Sequence, residues 1–401
     1  MRIQGITPIV LRYPEPNDHG NIRHTVLLRL EAEGGLTGWG ECIAMWPEAC
    51  RAVAALIQGG LADVVAGMDV REPEAVWQAL KRQTWWYGEG GLATMALAGI
   101  DMAVWDACGK AAGLPLWRLF GGRVHEALPA IASMHVNRAT IEEGAAEVAG
   151  HIARGFKGAK LGFGKRGLSR VGHSDNGVDY VRGVRQTAGF GKRGVTQVGH
   201  PDHDVDYVRA VRQAAGPAAR LMVDIGNGVR WDAATAIATI RRFEAFAIDW
   251  IEEPLHPDDL DGLARLRAAL TTRIATGERE WTVAGYARLI RTGLVDVLGV
   301  DPARAEGITG FRKVAALAEA ARIAVNAHAW STAVTSAASL HLSVASPAAR
   351  LFELKPLENP MQHELVDTPI WHQDGLVRPP EGPGLGVEPR PACIDKYRLP
   401  L

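Results

Sequence analysis

From residue 127 onward the chain repeats one pattern, a short apolar run followed by a stretch of helical period. The runs are 128–136, 158–162, 220–224, 248–252, 274–277, 295–300, 324–327 and 351–353. Short, continuous apolar runs suit strands buried on both faces, and parallel strands need a helix-length crossover between them. Eight such units predict a (β/α)8 barrel, an α/β fold, whose last helix is short or lost.

The first part of the chain has a different texture. Residues 3–12, 24–32 and 36–42 read as antiparallel strands, with Glu33-Gly34-Gly35 as a turn. Helical periods follow at 48–66, 74–83 and 92–112, and Gly113 and Pro115 stop the last of them. Strands and helices in separate blocks predict an α+β domain over 1–126. The barrel then occupies 127–356. A Gly- and Pro-rich tail, 357–401, is expected to return to the N-terminal part and complete it as a cap on the barrel.

One segment is duplicated. Residues 163–189 and 190–216 are tandem copies sharing FGKRG, VGH, VDYVR and VRQ. A solenoid needs at least three repeats, so this is a local duplication between the second and third strands. The helix of the second copy, about 205–214, runs into the third strand and is expected to be the regular barrel helix. The first copy is then an insertion emerging on the face where the strands end. It is either a lid flank or subunit contact, or a neutral extension into solvent.

Composition narrows the function classes. Lys and Arg number 44 against 45 Asp and Glu, for a net charge of −1, so no basic surface for nucleic acid or an anionic membrane is expected. Cys42, Cys50, Cys108 and Cys393 form no CxxC pair, which argues against a zinc or disulfide framework and suits a reducing cytoplasm. No secretory leader is recognisable in the first residues. No window approaches the ~18 uninterrupted apolar residues of a membrane span.

The chemistry-bearing residues sit where strands end. Asp224 ends Leu-Met-Val-Asp, Glu252 ends Trp-Ile-Glu, and Glu278 follows Ile-Ala-Thr-Gly. In a parallel barrel these positions open onto one face. Each acid alone could cap the helix that follows it. Three in consecutive units would repel one another unless a hard divalent cation such as Mg2+ lay between them. Glu253 competes with Glu252 for this role, and alternation along the strand favours Glu252. Asp301 and His328 end the next two strands. Neighbouring strands lie ~4.8 Å apart, so Asp301 can orient the His328 imidazole and raise its basicity. Lys160 ends the second strand and is either a base or a carboxylate clamp. Glu353 ends the last.

The ordered set Lys160, Asp224, Glu252-Glu253-Pro254, Gly277-Glu278, Asp301, His328, Glu353 resembles the mandelate racemase-like branch of the enolase superfamily. So do Gly38-Trp39-Gly40-Glu41, Asp101-x-x-x-Trp105-Asp106, Leu119-Phe120-Gly121-Gly122 and Gly307-Ile308-Thr309-Gly310. The resemblance spans nearly the whole chain. It implies a modified barrel with an α+β cap, Mg2+ on Asp224, Glu252 and Glu278, a His328–Asp301 base dyad, and Glu353 hydrogen-bonded to an enolate. It further implies removal of the proton next to a carboxylate, from a small hydroxy-carboxylate substrate, in a homo-oligomer. Ene-diolates stabilised by metal are an established theme of that superfamily. Two departures bear on the reaction. The second strand reads Lys160-Leu161-Gly162, without the second lysine of a Lys-x-Lys signature, and the third reads Asp224-Ile225-Gly226-Asn227 in place of Asp-x-Asn. A racemase needs a base on each face of its intermediate, so one-face chemistry is favoured. Dehydration of an acid sugar is the leading expectation. Lactone cycloisomerisation or epimerisation with Lys160 as second base is the alternative, and a non-catalytic paralogue is the remote one.

Overall fold

The computed structural model describes residues 1–136, 138–163, 201–226 and 231–400. The chain opens with an antiparallel sheet in the order β1 (Ile3–Glu15), β2 (Asn21–Ala32), β3 (Leu36–Met45). Gly34 and Gly35 make the β2–β3 turn at φ 78° and 76°, a conformation that glycine adopts without steric strain. Helices Pro47–Leu56 and Gly91–Ala112 cover this sheet, and helix Pro73–Thr84 packs on the latter. The longest lies directly on β3. A Cβ on Gly38 would come within 2.2 Å of the Ala103 carbonyl, and one on Gly40 within 2.0 Å of the Gly99 carbonyl. The Gly-Trp-Gly spacing is therefore what lets the helix backbone rest on the strand. Helix Gly91–Ala112 is long and apolar enough to cross a membrane, yet 89% of its most apolar window is buried inside the protein.

Eight parallel strands follow: β4 (Leu128–His135), β5 (Gly158–Gly162), β6 (Arg220–Asp224), β7 (Trp250–Glu252), β8 (Ile274–Thr276), β9 (Val297–Val300), β10 (Ala324–Ala327) and β11 (Phe352–Leu354). They pair in the order β10-β9-β8-β7-β6-β5-β4-β11. The ring meets at a looser seam, where the Val325 N–H donates to the Ala348 carbonyl at 3.0 Å. As the sequence suggests, the eighth unit lacks a regular helix, and one helical turn, Pro360–Glu364, stands in its place. The tail then adds β12 (Leu376–Val377) antiparallel to β4. It ends in helix Pro391–Tyr397 and returns to the N-terminal sheet, with the Leu399 N–H on the Val10 carbonyl at 2.8 Å.

Helix Pro201–Ala215 lies between β5 and β6 and packs on helix Ile141–Ala153, whose Gly144 leaves room for the Tyr207 ring. Arg212 ties its end to the carbonyls of Gly216, Ala219 and Phe246. The helix of the second repeat copy is thus the barrel helix of its unit. The first copy beyond Phe163, with its expected emergence at the mouth, lies outside the described residues, as does Asn227.

Inside the ring, Ile131, Met222, Trp250, Ala275, Val297 and Leu351 form a separate apolar cluster. Burying a side chain of this kind contributes roughly 1.5–3 kcal/mol. The cluster also acts as a floor, because the inward-facing residues above it are charged. Lys160, expected at a strand end, stands at the middle of β5 in register with Met222 of the floor, whereas Glu252 pairs with Asp224 at the carboxyl ends of β7 and β6.

Candidate active site

Strand register explains how the charged layer is assembled. Asp224 and Glu252 are direct partners on adjacent strands, so their side chains point to the same side of the sheet. Glu278 arrives differently. The chain leaves β8 through Gly277 at φ 123°, where a Cβ would lie 2.9 Å from the Gly299 carbonyl. Tyr286 holds this bend by donating its hydroxyl to the carbonyls of Gly277 at 2.7 Å and Gly299 at 3.0 Å. The result places one carboxylate oxygen each from Asp224, Glu252 and Glu278 within 4.8 Å of one another.

Lys160 rises from the layer below into this group. Its Nζ lies 3.1 Å from both Glu252 oxygens, 3.1 Å from Glu353 Oε2 and 3.6 Å from Asp224 Oδ2. Burial disfavours its charged form, but Glu252, Glu353 and Asp224 outweigh that and hold the ammonium well above the usual lysine range. One ammonium does not balance the carboxylates. Burial and then the neighbouring Glu252 push the Asp224 carboxyl well up, and burial raises Glu252 against the pull of Lys160. Glu278 is also desolvated, yet His328 and Lys160 bring it below the usual range. A desolvated, oxygen-only donor set short of positive charge is what a hard divalent cation fits.

Glu253 does not join this group. Its backbone turns into the left-handed region at φ 43°, and its buried carboxylate pairs with Arg279 Nη2 at 2.6 Å. Glu252 instead accepts from Lys160 and from Trp250 Nε1 at 3.2 Å.

The other side of the mouth carries the imidazole. Val300 and Ala327 are partners in register, so the residues that follow them, Asp301 and His328, stand side by side. His328 Nδ1 lies 2.6 Å from Asp301 Oδ2, and Asp301 Oδ1 accepts the Ala303 N–H at 2.8 Å. An ionised carboxylate only accepts, so Nδ1 carries the proton. The lone pair of the neutral ring is then on Nε2, which lies 3.7 Å from Glu278 Oε2 and faces the carboxylates. Burial opposes protonation of His328, but the bond to Asp301 prevails and raises its pKa. Glu353 closes the circle, with Oε1 accepting from Asn326 Nδ2 at 2.6 Å and Oε2 beside Lys160.

The structure therefore brings Lys160, Asp224, Glu252, Glu278, Asp301, His328 and Glu353 into one group. Sequence reasoning missed the residues that hold them. Asn326, two residues before His328, is one. Glu41 and Asp101, which entered the sequence reading only as parts of motifs and without a role, are others, each a buried acid bonded to the start of a barrel helix. An acid that must be buried to keep its segment packed was the available signal. The β1–β2 connection lies against the loop that follows His328. Asp18 binds Arg23 at 2.8 Å, and Arg23 lies 4.6 Å over the Trp330 ring. Trp85, Trp86 and Tyr87 are exposed and belong to no core.

Comparison with known proteins agrees with this architecture. Residues 143–393 match the family described as enolase C-terminal domain-like, and residues 20–121 match the mandelate racemase / muconate lactonizing enzyme N-terminal domain. A D-galactarolactone cycloisomerase of Agrobacterium fabrum is 31% identical over 391 residues, covering 94% of this chain and 92% of that protein. A D-mannonate dehydratase of Caulobacter vibrioides is 29% identical, covering 91% and 89%. The crystal structure of a racemase from Streptomyces coelicolor with bound magnesium has a TM-score of 0.81 and 27% identity, covering 99% of this chain and all of that one. With both family matches falling on their own part of the fold, the chain belongs to the mandelate racemase / muconate lactonizing enzyme branch of the enolase superfamily.

Proposed function

We propose that this protein is a Mg2+-dependent lyase that removes the proton next to the carboxylate of an acid sugar and then eliminates water. The observation that carries the reading is the His328–Asp301 dyad, whose Nε2 faces a cluster of three carboxylates from β6, β7 and the end of β8.

Asp224, Glu252 and Glu278 would hold the ion, and their charge and oxygen donors suit it. Bound Mg2+ supplies a Lewis acid that stabilises charge on a substrate carboxylate. His328 takes the α-proton at Nε2, since Nδ1 is committed to Asp301. Asp301 stabilises the imidazolium that results, as the buried carboxylate does in a Ser-His-Asp triad. The same imidazolium returns its proton to the β-hydroxyl as the C–O bond breaks. Water leaves, and the enol product tautomerises to a 2-keto-3-deoxy acid. Lys160 serves as a clamp. An ammonium held by Glu252, Glu353 and Asp224 has no free lone pair for proton removal, which argues against a two-base racemase. Glu353, held by Asn326 and Lys160, would meet the enolate.

The dehydratase name of the Caulobacter relative supports elimination. The cycloisomerase name of the Agrobacterium relative supports a second reading, opening of a sugar lactone by the same initial proton transfer. A panel of aldonic and aldaric acids and their lactones, incubated with enzyme and Mg2+ in D2O, separates the two. Keto acid, detected as its semicarbazone, formed from an open-chain acid with loss of water marks dehydration. Keto acid of unchanged mass formed from a lactone, whose ring oxygen leaves as the carboxylate in place of water, marks the cycloisomerase. Absence of both products and of α-deuterium incorporation across the panel would remove the reading.

A further inference from the structure

The loop that follows His328 is short, and its polar contacts come from elsewhere in the chain. Ser331 Oγ donates to Glu41 Oε1. Thr332 donates to Glu41 Oε2 through its N–H at 3.3 Å and its hydroxyl at 2.6 Å, and Thr335 does the same at 3.3 and 2.6 Å. The Ser331 carbonyl accepts from Lys355 Nζ and Gln362 Nε2, both at 2.9 Å. Trp330 lies under Arg23 at 4.6 Å and Lys355 at 5.0 Å. Glu41 is fully buried at the middle of β3. It therefore caps helix Ala333–Val344 from another part of the fold, although Thr332 is that helix's own N-cap.

The same arrangement recurs one unit earlier. Asp101, on helix Gly91–Ala112, accepts the Thr309 N–H at 2.9 Å and the Thr309 hydroxyl at 2.6 Å, at the start of helix Gly307–Ala320. That helix follows Asp301. Two acids of the N-terminal part thus sit on the helices behind the two members of the dyad. Asp106, equally buried on the same helix, instead binds the N–H groups of Trp39 and Leu385 and touches neither loop.

From this we infer that Glu41 is a positioning residue for His328. It fixes the segment Ser331–Thr332, so that Nε2 is aimed at the carboxylate cluster only when β3 is seated on the barrel. This rests on the reading of His328 as the base.

The test compares E41M, E41Q and S331A with D106N, all on the full chain with Mg2+. Methionine fills the space and accepts nothing from Thr332 and Thr335. Glutamine can turn its carbonyl to those fixed N–H groups, while the Ser331 hydroxyl and that of Thr25, which donates to Glu41 Oε1 at 2.7 Å, rotate to accept from its amide. A displacement of about 1 Å at a reacting group costs on the order of a hundredfold. E41M is therefore expected to lose roughly a hundredfold in kcat with KM changed less than about threefold. E41Q should recover to within about tenfold of wild type. D106N should match E41M in lowered Tm without the kcat loss. A kcat for E41M within about threefold of wild type overturns the inference, and so does an equal loss in D106N. If E41M does not fold, S331A decides: a kcat loss of about tenfold supports positioning, and none overturns it. Wild-type enzyme inert toward every acid sugar would sink the functional reading instead. The His328 ring 15N signals, identified by their loss in H328N, then decide the positioning separately. They should shift in S331A and not in D106N, and unchanged signals in S331A overturn it.

Discussion

Replacing Asp301 by asparagine is the sharpest test of the dyad, because the Ala303 N–H leaves the new amide two choices. In the first, Asn Oδ1 keeps the bond to Ala303 and the NH2 faces His328 Nδ1. Nδ1 must then accept, the proton moves to Nε2, and the ring has no lone pair to offer the substrate. In the second, the amide turns over, Nδ1 keeps its proton, and the Ala303 N–H is left unsatisfied beside an NH2. An orphaned buried donor costs about 1–3 kcal/mol, so the active form is roughly a tenth to a hundredth of the molecules. That form also lacks the charged acceptor for the imidazolium, a loss of about 1 kcal/mol or more. Together these predict a fall in kcat of about thirty- to a thousandfold, in the same direction as the larger loss from the corresponding change in a Ser-His-Asp triad. The assay is α-proton exchange in D2O by NMR on the best acid sugar, alongside turnover and Tm. Asparagine is nearly isosteric, so the fold should survive. Exchange within tenfold of wild type would refute the reasoning, since neither amide orientation permits it.

Other perturbations separate the remaining roles. H328N should abolish exchange while Mg2+ affinity, measured by calorimetry, stays within about threefold, whereas E252Q should weaken Mg2+ at least tenfold and E253Q should not. Magnesium affinity that falls equally in E252Q and E253Q would contradict the placement of Glu253 on Arg279. His341 is buried, accepts the Trp117 N–H on Nδ1, and is depressed to about 4, chiefly by burial. Its unfolded value is ~6.5, so its stabilising contribution is complete above about pH 6.5 and is lost as pH falls toward 4, by up to about 3 kcal/mol. H341Q should flatten that part of the stability–pH curve in denaturant titrations, and an unchanged slope would reject this assignment. Lys355 and Glu15 form a buried pair at 2.6 Å. K355M should destabilise by about 3 kcal/mol because buried Glu15 loses its ion-pair partner and keeps only the Asn17 hydrogen bonds on its other oxygen, and E15Q in the same chain should restore a large part. Additive losses in the double variant would show that the pairing is not the cause.

The sequence alone determined the barrel and the ring of acids, for a physical reason. Strands buried on both faces need continuous apolar runs, and parallel strands need helices between them, so fold and order are written locally. Positions read as strand ends share one face, so Lys160, Asp224, Asp301, His328 and Glu353 could be grouped before any coordinates, although Lys160 and Glu353 stand at the middle of β5 and β11. Glu278 needed one more clue, the glycine before it, because it stands two residues past the end of β8. Between Glu252 and Glu253 alternation offered only a preference. The backbone at Glu253, turned to φ 43°, and Arg279 beyond it set the actual arrangement. The supporting contacts were not legible. Glu41 meets Thr332 across 291 residues, Asp101 meets Thr309 across 208, and Lys355 meets Glu15 across 340. Such contacts leave no period in the chain, because they arise only when the N-terminal sheet docks on the barrel and buried acids must find donors wherever the packing brings them.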